Sequence, residues 1–199
     1  MEHEWRTIKM LELLPSSTPA WLGALDSLAS LDSLGSEGTL CIEVINRRGA
    51  NVPVLHCQRI DTEARAFDLS GIFLSTSRLA QFLAGLNQAE VPPQGLTLGV
   101  LLDEQGRPAE GYRIETSPAE PVQYLSTNGQ VVPGAIATTS SGLFASLDAP
   151  YDSDFRAYLG VTEQAAGLGG RVNGKVTVVV LQLGQGVAPV SGRAAAAAR

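Results

Sequence analysis

The run Val176–Leu181 (VTVVVL) constrains the fold of this chain more than any other segment. It is β-branched and apolar at successive positions, so neither face of an extended strand there tolerates water. Such a segment reads as a central strand buried on both faces. The spacing therefore predicts a strand over Lys175–Leu183. From Thr39 onward the chain repeats one theme: short apolar segments broken by turn residues, with 18 of the chain's 21 Gly and 9 of its 11 Pro lying in this part. Leu40–Ile45 and Val52–Ile60 are predicted strands around an Arg47–Asn51 turn, with Pro53 marking an edge or bulge. Ala66–Thr76 reads as strand–turn–strand, Ser77–Leu86 as a short helix, and Asn87–Gly95, with its Pro92-Pro93 pair, as a linker. Leu96–Leu102, Gly111–Thr116, Val122–Leu125, Val131–Thr138, Gly142–Leu147 and Phe155–Thr162 follow as strands. The Gly-rich Gly167–Gly174 is expected to be the loop that leads into the last strand.

Ahead of this β-rich part, residues 16–35 read as an amphipathic helix. Thr18 is an N-cap, Pro19 occupies the first helical position, and Trp21, Leu25, Leu28 and Leu31 recur at helical spacing before Gly35. The expected organisation is an N-terminal segment (1–38), a first β module (39–95), a second β module (96–184) and a low-complexity, disordered tail (185–199) ending in an alanine run.

Charge narrows the partners. Lys and Arg number 14 against 20 Asp and Glu, giving a formal net charge of −6. No basic cluster offers the concentrated positive charge that phosphate backbones require, so nucleic acid is not an expected partner. No apolar run approaches the roughly 20 residues of a membrane-spanning helix. Met1–Met10 is polar, and no signal-peptide core follows it.

Two stretches look alike. Thr39–Thr62 can be laid on Thr97–Ala119, each a strand, a polar turn with Gly, then a strand. Ser70-Gly71-Ile72-Phe73-Leu74-Ser75 matches Ser141-Gly142-Leu143-Phe144-Ala145-Ser146. The second copy carries an insertion near residues 118–133. A duplicated half-sandwich or two tandem β domains would produce this pattern.

The segment Leu98–Gly111 (LGVLLDEQGRPAEG) resembles the opening of carboxypeptidase regulatory-like, transthyretin-like modules, where a strand ends in an Asp-and-Gly turn followed by Pro and then Gly. Pro133-Gly134-Ala135 with Thr138–Phe144 is similar to their later stretch. The resemblance covers about residues 97–183, with a weaker echo at 39–76. It implies a Greek-key β-sandwich, here duplicated, and a non-catalytic role in secreted or surface-exposed bacterial proteins. The acidic stretch Asp148–Asp154 and the Gly-rich excursion depart from the family pattern and mark a specialised edge.

Candidate chemistry is sparse. Cys41 and Cys57 are symmetric about Gly49, so a hairpin centred there sets them face to face, within reach of a disulfide. Two buried free thiols are the alternative reading. His3 and His56 are the only histidines. No second ligand stands at zinc spacing, and no G-x-S-x-G supplies a nucleophile. Asp148, Asp152 and Asp154 share one loop, where alternating carboxylates suit either Ca²⁺ or plain solvation. Tyr112, Tyr124, Tyr151 and Tyr158 read as strand-face aromatics, with Tyr151 beside the acidic loop. Gly167–Gly170 lacks the context of a phosphate loop.

The expectation is a non-enzymatic, cofactor-free structural or interaction module of a cell-surface, periplasmic or extracellular assembly. Its partner is another protein or a second copy, met through sheet edges, the acidic loop, and Trp5 and Trp21. A carbohydrate- or Ca²⁺-binding module using Asp148–Asp154 is the alternative.

Overall fold

The computed structural model describes the backbone of residues 5–12, 37–44, 51–61, 66–72 and 74–184, and the side chains of residues 52–57 and 74–184. The expected helix over 16–35 with Trp21, the turn after Ile45, His3 and the tail from Gln185 lie outside the described residues. The chain is mainly β. Its strands are β1 (Trp5–Glu12), β2 (Glu37–Val44), β3 (Asn51–Val52), β4 (Val54–Asp61), β5 (Ala66–Ile72) and β6 (Leu74–Ser75), then β7 (Leu96–Leu102), β8 (Arg113–Ser117), β9 (Gln123–Tyr124), β10 (Leu143–Ser146), β11 (Ser153–Leu159), β12 (Thr162–Gly169) and β13 (Val176–Gln182). One helix, α1 (Thr76–Gly85), is found among the described residues.

A nine-stranded sheet runs in the order β8-β11-β12-β4-β13-β7-β10-β9, with β2 paired to β4. β13 is parallel to both β4 and β7, and its register with β7 is unbroken from Val176↔Leu96 to Gln182↔Leu102. The two strands are apolar at nearly every position for a reason visible on both faces. On one face Leu96, Leu98, Val176 and Val178 pack with Leu79, Phe82, Leu83 and Leu86 of α1 and its C-cap. On the other, Leu101, Val179 and Leu181 pack with Ile114, Phe144, Phe155 and Ala157. The β8–β11–β12 ply thus folds back over β13 and β7, and the sheet curls on itself.

The curl starts at β4. Val54–His56 pair with β13, and Cys57 then meets Leu168 of β12. β12 lies so close over β13 that a Cβ on Gly169 would strike the Val179 side chain, and one on Gly167 would sit 2.7 Å from Leu181 Cδ2. This corrects the loop expected over Gly167–Gly174: its first glycines lie inside a strand, and they are glycines because two plies meet there.

Other expectations shift similarly. Phe155–Thr162 is not one strand; it breaks at Gly160 (φ 63°) into the β11–β12 hairpin. Val131–Thr138 does not extend beyond β9. Pro133 removes a ladder donor, Ala135 N–H closes a turn onto Val132 O at 3.2 Å, and Thr138 N–H donates instead to Tyr112 O at 2.8 Å. The helix, expected over Ser77–Leu86, runs from Thr76 to Gly85, one residue earlier at each end, with Ser75 as N-cap accepting from Arg78 N–H.

The duplication expected from the internal repeat is not seen in the pairing. β10 sits inside the large sheet, whereas β5 pairs with β1, and β6 with β3, in separate two-stranded sheets. β4, from the expected first module, shares a sheet with the strands of residues 96–184.

Candidate functional surface

Each end of the pairing path is covered. β8 would expose its outer edge, but the Tyr124 hydroxyl accepts the Ile114 N–H at 2.8 Å, and Thr138 Oγ1 accepts the Tyr112 N–H at 3.1 Å. Thr116 Oγ1 accepts from Glu120 N–H at 2.7 Å, which holds the following loop alongside. At β9, Val132 N–H donates to Tyr124 O at 2.9 Å, so a turn lies against that edge. Tyr124 therefore links the last strand of the path to the first. Its burial pushes the phenol above its ordinary range near 10, only partly opposed by the Ile114 N–H. These bonds engage the outer edge of β8 at Ile114 and of β9 at Tyr124, where an added strand would otherwise pair.

The Asp148–Asp154 loop is anchored from within. Ser146 Oγ accepts from Ala149 N–H at 3.1 Å, Ser153 Oγ–H donates to Pro150 O at 2.7 Å, and Arg171 N–H donates to Ala149 O at 2.9 Å. Asp148 and Asp152 stay exposed, as does Tyr151, the only exposed tyrosine of the four. Asp154 turns away from them and faces Arg156 Nη2 at 3.4 Å. The three carboxylates do not converge, and no group of three His, Cys, Asp or Glu side chains is placed to hold a metal ion among the described residues.

The cysteines behave as the hairpin reading anticipated at the level of backbone: Cys41 lies directly opposite Cys57 in the β2–β4 register. His56, one residue earlier, is buried at the level of Val178 in the middle of the sheet, a poor position for a general base that must reach substrate. Trp5 begins β1 opposite Ile72.

Two surface features escaped sequence reasoning. The first is a charge grid on the outer face of the β8–β11–β12 ply. Arg156 bridges Asp154 and Glu163, each at 3.4 Å, and Arg113 pairs with Glu115 at 2.9 Å while stacking 5.7 Å from the Tyr158 ring centre. Burial works against the Arg156 charge, but Tyr158, Glu163 and Asp154 outweigh it and hold the guanidinium more basic than usual. The second is apolar. Ile136, Leu159 and Val161 are 82%, 53% and 94% exposed. Leu159 and Val161 flank Gly160 at the β11–β12 hairpin tip. Ile136 belongs to the loop whose Thr138 bonds Tyr112, next to the Arg113↔Tyr158 pair. All three thus lie toward the same end of β11, and the length of that strand, about 20 Å, separates this end from the acidic loop. The sequence signal was weak: single apolar residues in turns carry no periodicity.

Compared with known proteins, the chain matches no family model, no curated protein and no solved structure.

Proposed function

We propose that the chain is a non-enzymatic protein-interaction module of a cell-surface, periplasmic or extracellular assembly, and that it meets its protein partner through the apolar tip formed by Ile136, Leu159 and Val161. The observation that carries this reading is the exposure of three large hydrophobic side chains on a loop and a hairpin turn toward the same end of β11. A partner that covers all three would remove that apolar area from water. Arg113 and Glu163 both stand in register with Tyr158, next to Leu159, and put both signs of charge beside the tip. A transthyretin-like plan belongs to the same reading. It rests on the sequence likeness of Leu98–Gly111, whose Asp103–Pro108 turn is held by Asp103 Oδ1 accepting from Gln105 and Arg107 N–H at 2.9 and 2.8 Å.

A photo-activated cross-linker placed at position 161 in producing cells is expected to capture a protein. One placed at Ala166, on the outer face of β12, is not. Ile136→Asp should weaken that capture about tenfold or more, the effect of burying a charge at an interface hot spot. Equal capture from both positions, or none from 161, would remove the tip from the proposal.

The compartment rests on a separate observation. We propose that Cys41 and Cys57 form a disulfide, which places the protein in an oxidising environment. The cross-strand register and the absence of a free thiol among the described residues support it. The intact mass of protein from its native source should be lower than the reduced mass by the two thiol hydrogens, and reductant should restore them. A mass unchanged by reductant would place the protein among thiols instead.

A further inference from the structure

The chain contains the dyad Asn-Gly twice, at Asn128-Gly129 and Asn173-Gly174. Both asparagines are exposed, yet the structure surrounds the two glycines differently. Gly129 is buried. It lies under Phe82 of α1, where even a Cβ would come within 2.8 Å of the ring, and its carbonyl oxygen fits against Gly85 with no room for a side chain there. The turn is closed from several sides: Gly129 N–H donates to Ser126 O at 2.8 Å, Ser126 N–H to Gln130 O at 2.8 Å, and Arg78 Nη2 to Thr127 O at 2.6 Å. Gly174 is exposed and has open space where a Cβ would be. Its turn is closed by Lys175 N–H to Val172 O, and its own N–H reaches exposed Pro93 O, each at 2.9 Å.

We propose that Asn173 is a site of spontaneous deamidation in the folded protein, and that packing of α1 on Gly129 keeps Asn128 inert. In the reaction the Gly174 backbone nitrogen, having lost its proton, attacks Asn173 Cγ. A C–N bond forms, the Cγ–Nδ2 bond breaks, and ammonia leaves with the proton it gains. Water then opens the five-membered succinimide at either carbonyl, leaving aspartate or isoaspartate. Ring closure requires rotation about the Asn backbone, which swings the following peptide. At residue 174 this breaks the Gly174 N–H bond to Pro93 O, between two exposed residues, and moves no buried group packed against the glycine. At residue 129 it must lift a buried glycine from beneath Phe82 and undo the turn, so it waits on local unfolding of the turn and α1.

The product adds one negative charge to a chain already at −6. As isoaspartate it lengthens by one carbon the backbone of the turn that feeds β13, the strand at the centre of the sheet.

The test is incubation of the purified full chain at mildly alkaline pH, with parallel samples in concentrated urea, followed by peptide mapping by mass spectrometry and enzymatic detection of isoaspartate. In native buffer the Asn173 peptide should convert to aspartate and isoaspartate. The Asn128 peptide should convert about a hundredfold more slowly, the suppression that a local-opening equilibrium imposes. In urea the two rates should converge, since the dyads then differ only in their flanking residues. Comparable rates at both sites in native buffer, or an Asn173 that stays intact when folded but converts in urea, would overturn the proposal.

Discussion

Phe155→Ala is expected to lower the free energy of unfolding by about 3–5 kcal/mol, the range for removing a fully buried aromatic ring. Phe155 is 0% exposed and its ring centre lies 5.9 Å from that of Phe144 on the opposite ply. It is therefore a contact between the two halves of the curled sheet, not within one. The ring cannot be replaced by inward collapse of its neighbours, because β12 already approaches β13 as closely as glycine allows at 167 and 169. Urea titration should show a lower midpoint with an unchanged slope. Leu159→Ala, at the exposed hairpin tip of the same strand, is the control and should fall within about 0.5 kcal/mol of the parent. A double-mutant cycle with Phe144→Leu should return a coupling of about 0.5–1.5 kcal/mol for the tilted ring pair. A loss below about 1 kcal/mol for Phe155→Ala would mean that the plies do not close over it.

The strands that pack on both faces were legible in sequence because burial on both faces leaves a local mark. Leu96–Leu102 and Val176–Gln182 are apolar at nearly every position, and they form the parallel centre of the sheet. The helix was legible through Leu79, Phe82, Leu83 and Leu86, spaced for one face. Features set by contacts distant in sequence were not legible. Gly167 and Gly169 look like loop residues until β13 is laid beneath them; their requirement is a property of the partner ply. Pro133 ends an apolar segment that alternation alone would extend. The candidate surface divides in the same way. The opposition of Cys41 and Cys57 follows from hairpin symmetry, a local property. The pairing of Asp154 with Arg156 depends on the two residues sharing one face of β11, two positions apart. The apolar tip depends on a loop and a hairpin that lie apart in sequence and meet through β8.

Gly170→Ala is expected to be about as damaging as the loss of a core ring, for two independent reasons. Gly170 has φ 129°, a conformation that residues with a Cβ hold only under strain of about 1–3 kcal/mol. A Cβ there would also strike the backbone carbonyl of Pro150, with the Pro150 carbon at 2.7 Å and Tyr151 Cα at 2.9 Å. Neither side has room to yield. Arg171 N–H donates to Ala149 O at 2.9 Å, which fixes the strand end against the loop, and Ser153 Oγ–H donates to the same Pro150 oxygen at 2.7 Å. Relief by movement costs those bonds, and overpacking of this kind adds about 1–3 kcal/mol to the backbone strain. Gly160→Ala separates the two contributions. Gly160 also has positive φ, 63°, but open space around it, so its cost should be the backbone penalty alone, about 1–2 kcal/mol. The difference between the two variants in urea titration measures the seating of the acidic loop on β12. Limited proteolysis gives the local readout: in Gly170→Ala, cleavage should rise between Asp148 and Asp152, where Tyr151 and Asp152 are held exposed by that seat. Equal destabilisation by the two substitutions, with no new cleavage, would show that the loop does not rest on Gly170.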